Sequence, residues 1–411
     1  MFNAAKRHKN LYIMNTNETT LRNGIKVITI NVPSEKIFLT ANFHVGHLDE
    51  TNENLGTCAV LENYLIRNQN TPNLIQAVYG GTITSYSCEV SKTEWNKALA
   101  SIADLVQKGH FSPDLVELEK EDLIKHTRDR ACLLDRQAKL MFKFTACHNN
   151  RISWDPENYV KCVSKITPQQ LADFKTKYYT SRNLVIVASG NINHEELVEK
   201  VEQFFDTMDF GETRQPEKAS LYTGGYGILP HFGKKDIILF GFDISGIMHR
   251  PELHVLIQIL NGRLERSFND GEKCFDVDSR VGIVGYYGYR MLQIAISSHE
   301  PDNAAVIEVV TRNIARLKNE LASPRRLETS KNLVMANKIV LLTGDNLCIE
   351  TAWQTFRSGH MYDTSAKISE IPLVTARDVQ DMAREIFSTP LTFVASTEIP
   401  CPGYEKIVSQ Y

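Results

Sequence analysis

The sequence predicts an α+β protein of two tandem duplicated domains. At 411 residues the chain is longer than one hydrophobic core usually serves, so two domains are expected. Segments with strand and helix periodicity occur in both halves, as in α+β folds. In addition, a Thr-capped helix that leads into an apolar strand occurs at residues 166–189 and again at 374–396. Because Thr375 stands 208 positions after Thr167, this repeat indicates duplicated domains rather than a solenoid.

The first half combines predicted strands and helices. Residues 21–32 are predicted to form a strand with a turn at Asn23-Gly24, residues that tolerate positive φ. Residues 37–45 alternate apolar and polar side chains, which predicts a half-buried strand. The helix predicted next, over 55–67, has Asn54 or Thr57 as its N-cap. The other predicted elements of this half are a short helix at 72–79, a strand at 82–90, helices at 92–108 and from 114 to beyond 144, a helix that starts at Thr167-Pro168, a strand at 184–189 and a helix at 194–205.

A linker is predicted at residues 209–225, where the periodicity stops and Gly, Pro, Lys and Glu accumulate. It separates an N-terminal domain at 18–208 from a C-terminal domain at 226–411. The second domain repeats the plan of the first, with a strand at 236–244, a helix at 251–260, a hairpin at 282–297 and long helices at 303–321 and 324–342.

The composition excludes several classes of function. The formal net charge of −3 gives no global attraction to nucleic acid, so no nucleic-acid partner is expected. The eight cysteines are scattered without a C-x-x-C pair, which indicates neither a disulfide framework nor a zinc knuckle. The chain has no apolar run of about 18 residues, so no transmembrane segment is expected.

The first 17 residues have the composition of a targeting leader. They contain no acidic residue, carry a basic cluster at 6–9, and include the apolar side chains of Phe2 and residues 11–14. A basic, acid-free, partly apolar leader is typical of mitochondrial transit peptides, so residues 1–17 are interpreted as a transit leader. The alternative is an ordinary frayed N-terminus, since the basic cluster is compact and Ser and Arg are sparse.

One stretch of the first domain has the outline of a metal site. Residues 56–63 open an apolar helix and include Glu62; with histidine at positions 59 and 63 they would read H-x-x-E-H, the inverted zinc-peptidase motif. Residues 20–27, 80–86 and 261–264 match the same group of proteins in order and spacing. The chain therefore resembles the pitrilysin/insulinase-type (M16) metallopeptidase family, in the branch of mitochondrial processing peptidase subunits and cytochrome bc1 core subunits. The resemblance implies two domains of the LuxS/MPP-like metallohydrolase type, each a mostly antiparallel sheet packed with helices.

The same resemblance implies a degenerate zinc motif. The two histidine positions hold Ala59 and Asn63, and the third-ligand position, aligned through residues 119–126, holds His126. Alanine has no ligand atom and an asparagine carbonyl is a poor zinc ligand, whereas a catalytic zinc needs three protein ligands. Glu62 keeps the position of the family's general base and is expected to be idle. No metal or other cofactor is therefore expected in this chain; zinc would bind only if the site is not degenerate.

The substrate-binding positions of the second domain are altered as well. In the family, an Arg and a Tyr that follow the R-L pair bind the scissile peptide group and stabilise its developing charge. Asn269 and Phe275 stand at these positions here, with Arg266 as a partial replacement for the Arg. Because the family's zinc-ligand residues in the first half and its substrate-binding residues in the second half are both replaced, the chain is expected to be non-catalytic.

Three functions are compatible with this resemblance. The first is a non-catalytic subunit of a mitochondrial processing peptidase-type heterodimer, in which a second M16-type chain with an intact H-x-x-E-H supplies zinc and removes presequences. Presequence peptides are then candidate ligands, and the location is the mitochondrial matrix or a mitochondrion-derived organelle. The alternative is a structural core-type subunit of a respiratory bc1-like complex, which fits the absence of a glycine-rich loop before Arg263-Leu264. The third is an active zinc metalloendopeptidase with an unorthodox metal site.

Overall fold

The computed structural model describes residues 15–69, 74–147, 155–214, 221–230, 235–269, 274–286, 289–300, 303–341, 344–360 and 369–397. They belong to two compact units, each with its own sheet. The first unit contains the described residues that fall within 1–128, 155–216 and 339–366, and the second contains those that fall within 129–154, 217–338 and 367–411. Among the described residues, no helix has the length and apolarity that crossing a membrane requires.

Both sheets are mixed but mostly antiparallel. The sheet of the first unit consists of β1 (Asn15–Thr20), β2 (Lys26–Asn31), β3 (Lys36–Phe43), β4 (Gln76–Tyr79), β5 (Thr84–Ser91) and β6 (Leu184–Gly190). Its order is β1-β2-β6-β3-β5-β4, with β2 parallel to β6 and every other pair antiparallel. The sheet of the second unit consists of β7 (Gly225–Pro230), β8 (Asp236–Asp243), β9 (Val277–Tyr286), β10 (Tyr289–Ser298) and β11 (Thr392–Thr397). Its order is β7-β11-β8-β10-β9, and only β7 and β11 are parallel.

The two sheets share one topology. Strands β2, β6, β3, β5 and β4 correspond in order and direction to β7, β11, β8, β10 and β9. In each sheet, the strand that follows the Thr-capped helix is parallel to one neighbour and antiparallel to the other. The predicted α+β class with mostly antiparallel sheets is confirmed, and the common topology agrees with the repeat in the sequence.

Helices surround these sheets. In chain order the described α-helices are α1 (Thr57–Arg67), α2 (Trp95–Gln107), α3 (Pro113–Ala131), α4 (Leu134–Ala146), α5 (Pro156–Val163), α6 (Pro168–Tyr178), α7 (His194–Phe205), α8 (Pro251–Asn269), α9 (Asn303–Asn319), α10 (Pro324–Leu341), α11 (Asp345–Ser358) and α12 (Ala376–Ile386). The repeated helices α6 and α12 start alike, because Thr167 and Thr375 each accept a hydrogen bond from the third helical N–H and form a capping box.

Each half of the sequence contributes one helix to the other unit. Helix α4, from the first half, packs on β7, β8 and β11, and its Phe142 is fully buried. Helix α11, from the second half, packs on β3, β5 and β6. The compact units therefore differ from the contiguous domains predicted at 18–208 and 226–411, because each sheet buries an apolar helix face that lies far away in the sequence.

The structure corrects several local predictions. The helix predicted at 72–79 is wrong, because Gln76–Tyr79 forms β4, an edge strand that pairs with β5. The long helix predicted from residue 114 is two helices that break at Cys132-Leu133. Strand β3 is buried on both faces rather than one, since α11 covers the face that carries Thr40 and Asn42. The amide nitrogen of Asn42 donates there to the carbonyl of Val185 at 3.0 Å.

The N-terminal predictions also change. The predicted turn at Asn23-Gly24 is confirmed, with Gly24 at a φ of 90° that favours glycine, but the strand begins at Lys26 rather than at residue 21. The predicted leader at 1–17 extends into β1, whose residues 15–17 pair with β2. Residues 1–14 lie outside the described part of the chain.

Candidate functional site

The motif helix α1 holds three of the candidate site residues. It packs against α2, α6 and β4, and every side chain from Thr57 to Glu62 is buried. Ala59 is 2% exposed and Asn63 is partly exposed. Because these two residues are four positions apart, they lie one turn apart on the same face of α1. The helix therefore keeps the geometry of the inverted motif, while both ligand positions lack the histidine nitrogen.

The start of α1 is held by a carboxylate that sequence reasoning missed. Glu50 is buried and accepts hydrogen bonds from the backbone N–H groups of Gly56 at 3.0 Å and Cys58 at 2.7 Å. The N-cap is Gly56, with a φ of 91°, so the predicted caps Asn54 and Thr57 are wrong. Burial raises the pKa of Glu50 to about 7, although the two N–H donors act in the opposite direction. Glu50 stands six positions before the N-cap Gly56, so it gave no local capping signal.

Glu62 is a buried carboxyl with an unsatisfied oxygen. The residue is 7% exposed, and its Oε2 atom has no hydrogen-bond partner among the described residues. Burial raises the pKa of Glu62 from 4.5 to about 7. The surroundings of Glu62 thus favour the neutral carboxylic acid. A nearby cation would instead favour the charged carboxylate.

The third-ligand segment lies on α3, where its acids join α3 to α1. Glu119 is 1% exposed, and Arg67 Nε lies 2.5 Å from its Oε1 atom. Another guanidinium nitrogen of Arg67 donates to Asp122 at 2.5 Å. His126 stands two helical turns beyond Glu119 and is exposed. The acids of this segment therefore serve an ion-pair network between two helices.

Of the two substrate-contact positions in the second unit, Asn269 is the last residue of α8 and Phe275 follows the helix. Asn269 is exposed, and its amide donates to the carbonyl of Glu265 at 2.8 Å. The ring of Phe275 packs edge-on against buried Phe268, with centroids 5.8 Å apart. Phe275 has no polar side-chain atom, and Asn269 has no charge. These two positions therefore lack the cationic and hydroxyl donors that stabilise developing charge in the family's reaction.

The donor set at these positions does not fit a zinc ion. Ala59 supplies no ligand atom, and Asn63 supplies only a neutral amide oxygen. Glu62 and His126 are left, one fewer than the three protein ligands of a catalytic zinc. In the described parts of the chain, no group of three or more His, Cys, Asp or Glu is arranged to hold a metal. No reaction step in this chain can therefore be assigned to a zinc ion.

Replacing Glu62 by glutamine is expected to stabilise the chain at alkaline pH. A carboxyl with a pKa of about 7 in the folded state and 4.5 in the unfolded state binds its proton more tightly when folded. The stability from that proton is fully present below pH 4.5 and is lost as the pH rises through 7. Glutamine has no charge to bury, so the free energy of unfolding at pH 8 should rise by roughly 2–3 kcal/mol, and by much less at pH 5.

Urea unfolding at both pH values measures this effect. Glu121→Gln is the matched control, since Glu121 is an exposed carboxylate on α3. The control should change the free energy of unfolding by less than about 0.5 kcal/mol at either pH. Destabilisation of the Glu62→Gln variant at pH 8 would show that the Glu62 carboxylate makes a favourable contact when ionised.

Sequence comparisons connect this chain to one group of proteins. The family model described as the Peptidase M16 inactive domain matches residues 165–334. An uncharacterized zinc protease of Rickettsia bellii (strain RML369-C) is 23% identical over 408 residues, which cover 92% of this chain and 96% of that protein. The mitochondrial-processing peptidase subunit beta of Dictyostelium discoideum is 26% identical over 230 residues, which cover 51% of this chain and 48% of that protein.

Solved structures share the fold at low sequence identity. A protease from Helicobacter pylori has a TM-score of 0.80 at 15% identity, over 94% of this chain and 100% of that chain. An M16-like protein from Alicyclobacillus acidocaldarius has a TM-score of 0.76 at 17% identity, over 93% of this chain and 98% of that chain. These likenesses establish the two-sheet α+β fold.

Proposed function

Because this chain belongs to the M16 peptidase family, we propose that it is a non-catalytic subunit of a processing peptidase-type heterodimer. A second M16-type chain with an intact H-x-x-E-H supplies the zinc and removes presequences from imported precursors. This chain completes the chamber and holds the presequence peptide. The proposed location is the mitochondrial matrix or a mitochondrion-derived organelle, reached with a leader at the N-terminus.

One observation carries the proposal: α1 keeps its helical geometry while both histidine positions have lost their ligand. The helix retains its buried packing, and Glu62 remains in place. Ala59 and Asn63 deprive the site of both histidine ligands, while the helix that carries them keeps its fold. This combination is expected of a chain that works beside an active partner, and relatives named as processing-peptidase subunits support a paired state.

A structural core-type subunit of a bc1-like respiratory complex is the second candidate, and a feature of α8 favours it. The non-catalytic processing subunit has a glycine-rich loop before its R-L pair. Here α8 runs unbroken through Gly262 and Arg263. Asn261 is fixed by two hydrogen bonds to the backbone of Val281, at 2.8 and 2.9 Å. Because α8 is continuous and held by hydrogen bonds at this position, no loop is present there to guide a presequence.

Affinity purification of the tagged full-length chain from its native cells tests the proposal. We expect a second M16-type chain with an intact H-x-x-E-H to co-purify, together with zinc and with cleavage of a presequence peptide. Co-purification of respiratory subunits without a peptidase chain would favour the structural alternative. Recovery of this chain by itself with full cleavage activity would contradict both functions.

A matched variant then locates the catalytic base in the purified complex. If this chain is non-catalytic, a complex with Glu62→Gln should cleave presequences at an unchanged rate, because the base belongs to the partner. Removal of a working general base costs about 100- to 10,000-fold in rate. A loss of that size in the Glu62→Gln complex would place catalysis in this chain.

A further inference from the structure

A cavity of about 370 Å³ in the second unit is lined by five arginines from three helices. They are Arg263 and Arg266 on α8, Arg312 and Arg316 on α9, and Arg326 in the first turn of α10. The one acid among the lining residues is Glu320. The cavity therefore has an excess of four positive charges, although the chain as a whole has a formal net charge of −3.

Arg263 is a buried charge that forms no ion pair within 4.0 Å among the described residues, although the charge of Glu320 acts on it. Arg263 is 7% exposed, and its Nε and Nη1 atoms have no hydrogen-bond partner among the described residues. Burial, followed by the nearby charge of Arg326, lowers the pKa of Arg263. A guanidinium remains protonated at any physiological pH, so an acceptor that enters the cavity can match the three N–H groups on these two nitrogens.

The other guanidinium groups are accessible to a ligand. Arg312 pairs with Glu308 at 2.7 Å, and Arg316 lies 3.9 Å from Glu320. Both are exposed pairs between residues one helical turn apart, a class of interaction that is weak in water. A stronger acceptor can therefore compete for these arginines.

A hydroxyl adds a neutral donor to the same cavity. Ser267 Oγ accepts a hydrogen bond from the Asn313 amide at 3.1 Å, and that amide also donates to the carbonyl of Val309 at 2.8 Å. Because its oxygen accepts from Asn313, the hydroxyl hydrogen of Ser267 is directed elsewhere and can serve a ligand. The arginines and Ser267 are thus all hydrogen-bond donors, and such donors suit an anionic ligand.

We propose that this cavity binds a small ligand with two or more phosphate groups, such as inorganic triphosphate or a nucleoside triphosphate. The planar fork of arginine matches phosphate oxygens and forms paired hydrogen bonds with them. A carboxylate carries one negative charge and leaves most of the positive excess unbalanced, whereas a terminal phosphate group carries about −1.5 to −2 at neutral pH and every further phosphate group of the chain adds negative charge. This inference concerns the second unit and is independent of the proposed heterodimer.

Isothermal titration calorimetry of the full-length chain with sodium triphosphate tests the inference. We expect one site per chain, with an affinity that falls as NaCl is added, because mobile ions screen the arginines. A parallel titration with ATP separates the two sources: equal affinity identifies the phosphate chain as the recognised group, and tighter binding identifies a nucleotide. Tighter binding of a glutamate-rich peptide, or equal affinity for orthophosphate, would overturn the assignment to a multiply phosphorylated ligand.

Two variants at exposed arginines remove ligand contacts without changing the core. Arg266→Gln and Arg312→Gln should each weaken triphosphate binding by about tenfold, as expected for the loss of one charge-assisted contact. Arg325→Gln is the matched control, since Arg325 is exposed next to Arg326 but does not line the cavity. No binding by the unmodified chain, or an equal loss in the Arg325→Gln variant, would overturn the proposal.

Discussion

A chain with Ala59→His, Asn63→His and His126→Glu is expected to bind about one zinc ion, whereas the unmodified chain is expected to bind none. The substitutions restore two nitrogen ligands and the carboxylate of the family's metal site. Helix α1 already places positions 59 and 63 on one face. Loss of a single supporting partner costs a metal site about 10- to 100-fold in affinity, so restoring two direct ligands should raise affinity by more than roughly 1,000-fold.

Competition with a chelating dye measures this gain of affinity. The control carries Ala59→His and Asn63→His with His126→Ala, so it differs only in the third ligand and should bind at least about tenfold more weakly. Ala59 is 2% exposed, and the larger histidine should cost about 1–3 kcal/mol of stability, which circular dichroism must show the variant survives. A folded triple variant without zinc would show that positions 59, 63 and 126 do not converge.

Truncation of Phe142 to alanine is expected to cost about 3–5 kcal/mol of folding free energy, and the loss should fall on the second unit. The ring is fully buried in a cluster that includes Leu239, Tyr289 and Val394. It also lies against Gly241 of β8, where a Cβ atom would stand 2.5 Å from Phe142 Cζ. The backbone of β8 cannot close the space that the ring leaves, so a cavity should remain.

Hydrogen exchange followed by mass spectrometry locates the effect of Phe142→Ala. The amides of β8, β10 and β11 should exchange faster, while those of β2 and β3 should be unchanged. Phe144→Ala is the control, because Phe144 lies two positions further along α4 and is 37% exposed. It should cost less than about 1 kcal/mol. Faster exchange in β2 and β3 would contradict the placement of α4 in the second unit.

Sequence patterns predicted the elements whose signals lie within a few adjacent residues. The helix predicted at 194–205 has the same bounds as α7, since Asn193 caps it and apolar residues mark one face. The caps at Thr167 and Thr375 were also predicted, because a Thr before a helix is recognised locally. The shared topology of the two sheets follows from the repeat of these signals.

The errors arose where contacts distant in sequence decide the structure. The segment Gln76–Tyr79 has no strong strand pattern and becomes β4 because β5 offers it an edge. The polar residues Thr40 and Asn42 suggested a solvent-facing side of β3, but a helix more than 300 positions later covers them. A short stretch of one sequence does not show which distant helix will cover a strand.

The same limit applies to the candidate site. Ala59, Glu62 and Asn63 lie together on α1 as predicted, because helical spacing alone decides it. The burial of Glu62, the cap from Glu50 and the arginine cavity depend on neighbours from other elements. The cavity arginines are spread from residue 263 to residue 326, and no regular spacing connects their three helices.

Zinc content is the most direct test of whether this chain works without a metal of its own. The unmodified full-length chain, purified with zinc in the buffer and without chelator and then desalted, would be analysed by inductively coupled plasma mass spectrometry. We expect less than about 0.1 zinc per chain, since Ala59 and Asn63 leave fewer than three ligands. About one zinc per chain would contradict the proposal that this chain is the non-catalytic subunit.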